Sequence, residues 1–96
     1  MSELDALSDE ILLARWREGE ARAGAVLIAR HHESLARFFL TKAGTDGEDL
    51  VQATFLGLLG GGLERFRGEA SFRTFLFAIA RNKLLEYIRA RVRTSV

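Results

Sequence analysis

Apolar residues recur along the chain at spacings of three and four, and no stretch alternates apolar with polar positions over the length of a strand. The pattern predicts helices throughout, over about residues 8–18, 21–42, 46–59 and 71–91, so the expected fold is all-α, a compact bundle of about four helices. Proline is absent, and the breaks fall at glycines: Gly19, Gly24, Gly44, Gly47, Gly57, the run Gly60 to Gly62, and Gly68.

Ser8 is placed to cap the first helix, with Asp9 and Glu10 at the positive end of its dipole, and Ile11, Leu12 and Trp16 are expected to be buried. The second helix directs Leu27, Ile28, Leu35, Phe38 and Phe39 inward and stops at Gly44, with Gly24 weakening its first turns. Thr45 and Glu48 have the spacing of a capping box, with Asp46 as the alternative cap of a third helix. In that helix Leu50, Val51, Phe55, Leu56, Leu58 and Leu59 point at too many angles for one buried stripe. Either it lies at the centre of the bundle, or one of its apolar sides meets a partner protein.

The triple glycine is expected to end this helix and leave a short flexible connection from Leu63 to Gly68. It lacks the spacing of a phosphate-cradling loop. On the last helix Phe72, Leu76, Ile79 and Tyr87 gather on one side, while Phe75, Ala78, Asn82 and Arg89 share a neighbouring flank. Aromatic and arginine residues interleave through RFRGEASFRTFLFAIARNKLLEYIR. A single-stranded nucleic-acid surface needs that combination: guanidinium groups for phosphates, rings for unstacked bases, and an amide that both donates and accepts at a base edge. Two of Phe72, Phe75 and Phe77 are expected to be ordinary core. Phe66 stands apart, in a glycine-bounded segment between two arginines.

Charge sharpens this division. The net charge of +1 over 96 residues conceals two opposed parts. Residues 1–64 carry 6 Lys or Arg against 11 Asp or Glu, whereas residues 65–96 carry 8 against 2. Seven of those eight bases are arginine, which suits a phosphate backbone. With 48% hydrophobic and 28% charged residues the chain has material for one globular domain, and disorder is excluded.

Other chemistries find little support. The chain has no cysteine, which removes disulfides, zinc thiolates and thiol nucleophiles. No apolar run is long enough for a membrane span, and the acidic first residues do not read as a secretory signal, so a cytoplasmic protein is expected. His31 and His32 are adjacent on a helix and diverge by about 100°, a poor arrangement for a shared metal. Glu48 and Asp49 are neighbours at a helix start and do not face each other across a cleft as an acid–base pair would. Ser8, Ser34 and Ser71 have no recognisable histidine and acid partners. Neither an enzyme, a metal site nor a cofactor is expected.

The order of two segments is informative. TDGEDLVQATFLGLL followed by RFRGEASFRTFLFAIARNKLLEYIR resembles region 2 of bacterial sigma factors, in the extracytoplasmic-function group of the sigma-70 family. The resemblance runs from about Asp9 to Arg91. It implies a transcription initiation domain that binds core RNA polymerase through the β′ clamp helices and holds the melted non-template strand of the promoter's minus-ten element. Asp49, Gln52 and Phe55 match the family's D-x-x-Q-x-x-F pattern, which implies polymerase contacts there, with Glu48, Leu56 and Leu59 beside them. Phe66 and Asn82 match positions that help to hold a flipped base. Arg67, Arg73, Arg81 and Lys83 are candidates for backbone contacts, with Phe75 and Arg89 on the same flank.

Three positions depart from the family pattern: Ala53 where glutamate is usual, Phe75 where tryptophan is common, and a triple glycine that lengthens the connection between the two segments. Full members of this group carry a second helix-turn-helix domain, region 4, and these 96 residues are expected to hold region 2 without it. The alternative to promoter reading is a sigma-like interaction module that binds polymerase or an anti-sigma factor alone.

Overall fold

Five helices follow one another in the computed structural model, which describes residues 2–94: α1 (Asp9–Arg17), α2 (Ala21–Ala43), α3 (Gly47–Gly57), the single turn α4 (Leu63–Arg65) and α5 (Phe72–Thr94). The four long helices lie where the apolar periodicity places them, with ends shifted by a few residues at most. No strand occurs among the described residues, and no helix of theirs is long and apolar enough to cross a membrane.

Helix α2 is the spine, packed on α1, α3 and α5. Its Leu27, Leu35 and Phe39 meet Leu12 of α1, Val51 of α3, and Phe72 and Leu76 of α5, all of them buried. Helices α1 and α2 approach closely because Gly24 leaves room for the Trp16 indole; a Cβ there would stand 2.3 Å from a ring carbon. The glycine that weakens the helix locally thus admits the side chain that packs it. Ser8 caps α1 as expected, accepting from the Ile11 amide at 3.2 Å. Ile11, expected inside, is 49% exposed, and Leu13 takes the buried place beside Leu12. The chain before α1 forms a short 3-10 turn, Glu3–Ala6, which buries Leu4.

Two expectations about α3 are corrected. The Thr45–Glu48 capping box does not form: residues 44–46 make a 3-10 turn, and the Asp46 carboxylate, instead of capping, accepts from Tyr87 of α5 at 2.6 Å. The triple glycine does not open a flexible connection either. The helix passes through a π-turn, Leu58–Gly62, is kinked at Gly60 and Gly61, and resumes as α4. Gly61 adopts φ +124°, a backbone region that side chains avoid, so the kink requires glycine there.

His31 is buried at the α1–α2 contact, where its Nε2 donates to the Asp9 carboxylate at 2.8 Å. Arg30 donates to the same carboxylate at 3.1 Å and to the Leu7 carbonyl at 2.7 Å. These contacts tie the N-terminal segment to α2 and give the buried His31 a polar partner.

Candidate functional site

Helix α3 divides lengthwise. Leu50, Val51 and Thr54 face the core, with Leu58 just beyond its end, and the Thr54 hydroxyl satisfies itself by donating to the Leu50 carbonyl at 2.8 Å. The opposite side carries Glu48, Asp49, Gln52, Leu56 and Leu59, all exposed; Leu56 is 65% and Leu59 55% accessible. The helix is therefore not at the centre of the bundle, and one of its apolar sides is left open to solvent. Phe55 sits at the seam, half-buried, with the His32 ring stacked on it at 6.3 Å and 10°. Glu48 and Asp49 lie in the first turn, where carboxylates offset the helix dipole. The exposed side thus runs from an acidic end, through an amide, to apolar residues.

Helix α5 presents the second surface. The Ser71 hydroxyl accepts from the Thr74 amide at 3.1 Å and starts the helix, whose Phe72, Leu76, Ala80 and Leu84 are buried. Outside this stripe lies an open groove of about 810 Å3, lined by Arg73, Thr74, Phe77, Ala78, Arg81, Asn82 and Leu85, with Phe38 of α2 as its far wall. The rings in it are backed by cations: Arg73 lies 4.7 Å from the Phe77 centroid and the Lys42 ammonium 4.4 Å from that of Phe38. The Asn82 side chain is exposed, and its amide bonds to no other described residue. Its polar lining consists of the two guanidinium groups, the Asn82 amide and the Thr74 hydroxyl.

A smaller depression of about 220 Å3 adjoins it, lined by Arg65, Phe66, Arg67, Glu69, Ala70 and Phe75, and shares Thr74 and Ala78 with the groove as a common ridge. Phe66 is not the free stacking platform that its place between arginines implied. The residue is 8% exposed, its ring packed on Phe75 at 4.7 Å and Phe72 at 6.2 Å, so little of it is open to the depression. Phe75 is half-buried beside it. The sequence could not show this, because three phenylalanines on one helix start do not reveal which of them a fourth will cover.

The predicted residues thus fall into sets. Arg73, Arg81 and Asn82 converge on the groove, and Phe66, Arg67 and Phe75 on the depression. Arg89 is exposed four residues beyond Leu85, on the same flank. Lys83 does not belong with them. Its stem lies over Gly57 of α3, and its ammonium is 3.7 Å from Glu86, which places it at the α3–α5 seam. Sequence reasoning missed Arg65, Thr74, Leu85 and Phe38 as lining residues, and also Arg17 of α1, which reaches the carbonyls of Leu63 and Phe66. Nothing local marks Arg17, since its contacts lie more than forty residues away.

The sequence and the fold are both similar to those of known proteins. The family model described as Sigma-70 region 2 matches residues 27–94. Similar curated proteins include the ECF RNA polymerase sigma-E factor of Haemophilus influenzae, 33% identical over 91 residues, and that of Escherichia coli K12, 30% identical over 90. Each alignment covers 93% of this chain and 47% of the relative, so the chain spans about half the length of the curated relatives it matches. Among solved structures, the NMR structure of an engineered region 2 of sigmaE in complex with GTAAAA superposes with a TM-score of 0.81 at 29% identity, covering 98% of this chain and 97% of that one.

Proposed function

The chain belongs to the sigma-70 region 2 family, and from that premise we propose that it is a transcription initiation module acting in the cytoplasm: it docks on core RNA polymerase through α3 and holds unpaired promoter bases along α5. The observation that carries this reading is the groove in which Arg73, Arg81 and Asn82 converge beside the rings of Phe38 and Phe77. A phosphate backbone, an exposed base face and a base edge each find their complement there.

Docking is assigned to Asp49, Gln52, Phe55, Leu56 and Leu59, with Glu48 at the rim, against the β′ clamp helices. Exposed leucines flanking an unpaired amide make a surface with an apolar centre and polar edge, as interfaces have. The second function is strand capture. Extracting a base from a duplex costs a few kcal/mol, and stacking returns about 1–3 kcal/mol per base, so pocket and phosphate contacts together suffice to hold an opened strand. Promoter opening by this domain is therefore a matter of binding energy, with no covalent step. That a similar domain, an engineered region 2 of sigmaE, forms a complex with GTAAAA supports the capture of a short oligonucleotide by this domain.

Fluorescence anisotropy with the hexanucleotide GTAAAA and its single-base variants tests the reading, with and without a β′ clamp-helix fragment. Affinity should depend on sequence, strengthen or persist with the fragment present, and fall with salt. Sequence-independent binding in the presence of the fragment would leave a protein-interaction module, binding polymerase or an anti-sigma factor.

A further inference from the structure

The segment that brings Phe66 and Arg67 to the rim of the smaller depression has few contacts of its own. Residues 66–71 form no regular element, and residues 67–71 are all exposed. Within the chain's own turn, the Phe66 amide donates to the Gly62 carbonyl at 3.1 Å, after which the backbone leaves the helix at φ −72° and ψ 121°. The Leu63 carbonyl, at the start of that turn, and the Phe66 carbonyl, just past its end, accept from no backbone amide among the described residues.

Both are taken by Arg17, from the last turn of α1. Its Nη2 donates to the Leu63 carbonyl at 2.5 Å and to the Phe66 carbonyl at 2.8 Å. The same guanidinium lies 5.8 Å from the centre of the Phe66 ring. One planar group therefore fixes the backbone on each side of the turn and one face of the ring that floors the depression. The other contacts on that ring come from Phe72 and Phe75 of α5. Phe66 is thus held between α1 and α5, and Arg67, the next residue, takes its direction from it.

We infer that Arg17 is a positioning residue for strand capture: it sets the place of Phe66 and Arg67 from outside the groove. Its two protein acceptors, and its absence from the lining of either depression, separate it from a phosphate contact. The functional half of this inference rests on the proposed reading of α5; the mechanical half, that Arg17 orders residues 63–68, stands on the two hydrogen bonds alone. Arginine suits the task because its fork is planar and stacks on a ring, whereas lysine carries a point charge on a flexible stem.

The test compares the full chain with Arg17→Met, which keeps the stem and loses every donor, and with Arg17→Lys, which keeps the charge. Two measurements are made: hydrogen exchange of the amides in residues 63–68, and anisotropy over the same oligonucleotide panel and salt series. In Arg17→Met, exchange in this segment should rise, and discrimination at one base position should fall about five- to tenfold. The salt slope and the affinity for the clamp-helix fragment should stay as they are in the unaltered chain, which also shows that the bundle remains folded. Arg17→Lys should recover part of the discrimination.

Unchanged exchange in 63–68 overturns the positioning role whatever the DNA data show. Equal weakening for every oligonucleotide, with a salt slope shallower by about one, would make Arg17 a phosphate contact and also overturn it. If the unaltered chain itself fails to discriminate among sequences, the reading of α5 as a strand-capture surface fails, while exchange still decides whether Arg17 orders the segment.

Discussion

The Tyr87 phenol donates to the Asp46 carboxylate at 2.6 Å and so fastens the outer half of α5 to the turn that begins α3. Arg91 approaches the same carboxylate oxygen at 3.4 Å and lies 5.5 Å from the Tyr87 ring centre. The contact joins the helix proposed to read DNA to the helix proposed to dock on polymerase. It also has a pH signature. The hydrogen bond to Asp46, and secondarily burial, hold the phenol above its ordinary value of 10.0, with Arg91 opposing. A raised value means that the folded state favours the neutral phenol. Its contribution is fully present below about pH 10 and is lost as pH climbs through the folded value. Thermal melts of the unaltered chain and Tyr87→Phe should differ at pH 7 to 9, and the gap should close progressively above pH 10.

Adjacent leucines at the end of α3 should behave oppositely. Leu58 is fully buried and Leu59 is 55% exposed. Leu58→Ala leaves a cavity in the core and should cost about 2–5 kcal/mol in urea unfolding. Leu59→Ala should change stability by less than about 0.5 kcal/mol. In a pull-down or anisotropy titration with the clamp-helix fragment, however, Leu59→Ala should weaken docking by about tenfold or more, as loss of an anchor at the centre of an interface does. Equal docking by Leu59→Ala and Leu56→Ala variants would remove the exposed face of α3 from the interface.

The three consecutive glycines are not equivalent. Gly60 faces open space at a negative φ, Gly61 stands at φ +124°, and a Cβ on Gly62 would lie 2.8 Å from the Gly57 carbonyl oxygen. Gly60→Ala should be within about 1 kcal/mol of the unaltered chain, because it clashes with nothing and restricts the unfolded state. Gly61→Ala should cost about 1–3 kcal/mol through backbone strain. Gly62→Ala must displace backbone and should also destabilise. Chemical denaturation of the three variants checks the order.

These contrasts show which features were legible beforehand. Helix positions were, because Ser8 at the start of α1, Gly44 after α2 and the three- and four-residue apolar spacing are local signals. The exposed side of α3 was legible as an excess of apolar angles. What escaped depends on distant partners. Thr45 and Glu48 have capping spacing, but Asp46 is drawn to Tyr87, 41 residues on, and the turn before α3 closes as a 3-10 helix instead. Phe66 reads as exposed between two arginines until α5 folds Phe72 and Phe75 over it. The glycines read as a loop because a one-turn helix beyond a kink leaves no periodicity to detect.

Asn82 and Lys83 give the sharpest test of the strand-capture surface, since neighbouring residues on a helix point about 100° apart. Asn82 lines the groove, whereas Lys83 lies against Gly57 at the α3–α5 seam. If the groove holds a base, Asn82→Ala removes a donor and an acceptor from one base edge. Discrimination at one position of the oligonucleotide should then fall by about 1–3 kcal/mol, with the other positions and the salt slope unchanged. Arg81→Ala, from the groove wall, should weaken every sequence alike and flatten the salt dependence by about one unit of slope. Lys83→Ala should do neither, although it carries a charge and sits between the two groove residues' own turn and the next. A charge-driven surface without a defined site predicts the reverse ranking, in which both cations matter and the neutral amide does not. Affinity that follows charge in this way would locate DNA binding in the electrostatic field of α5 as a whole.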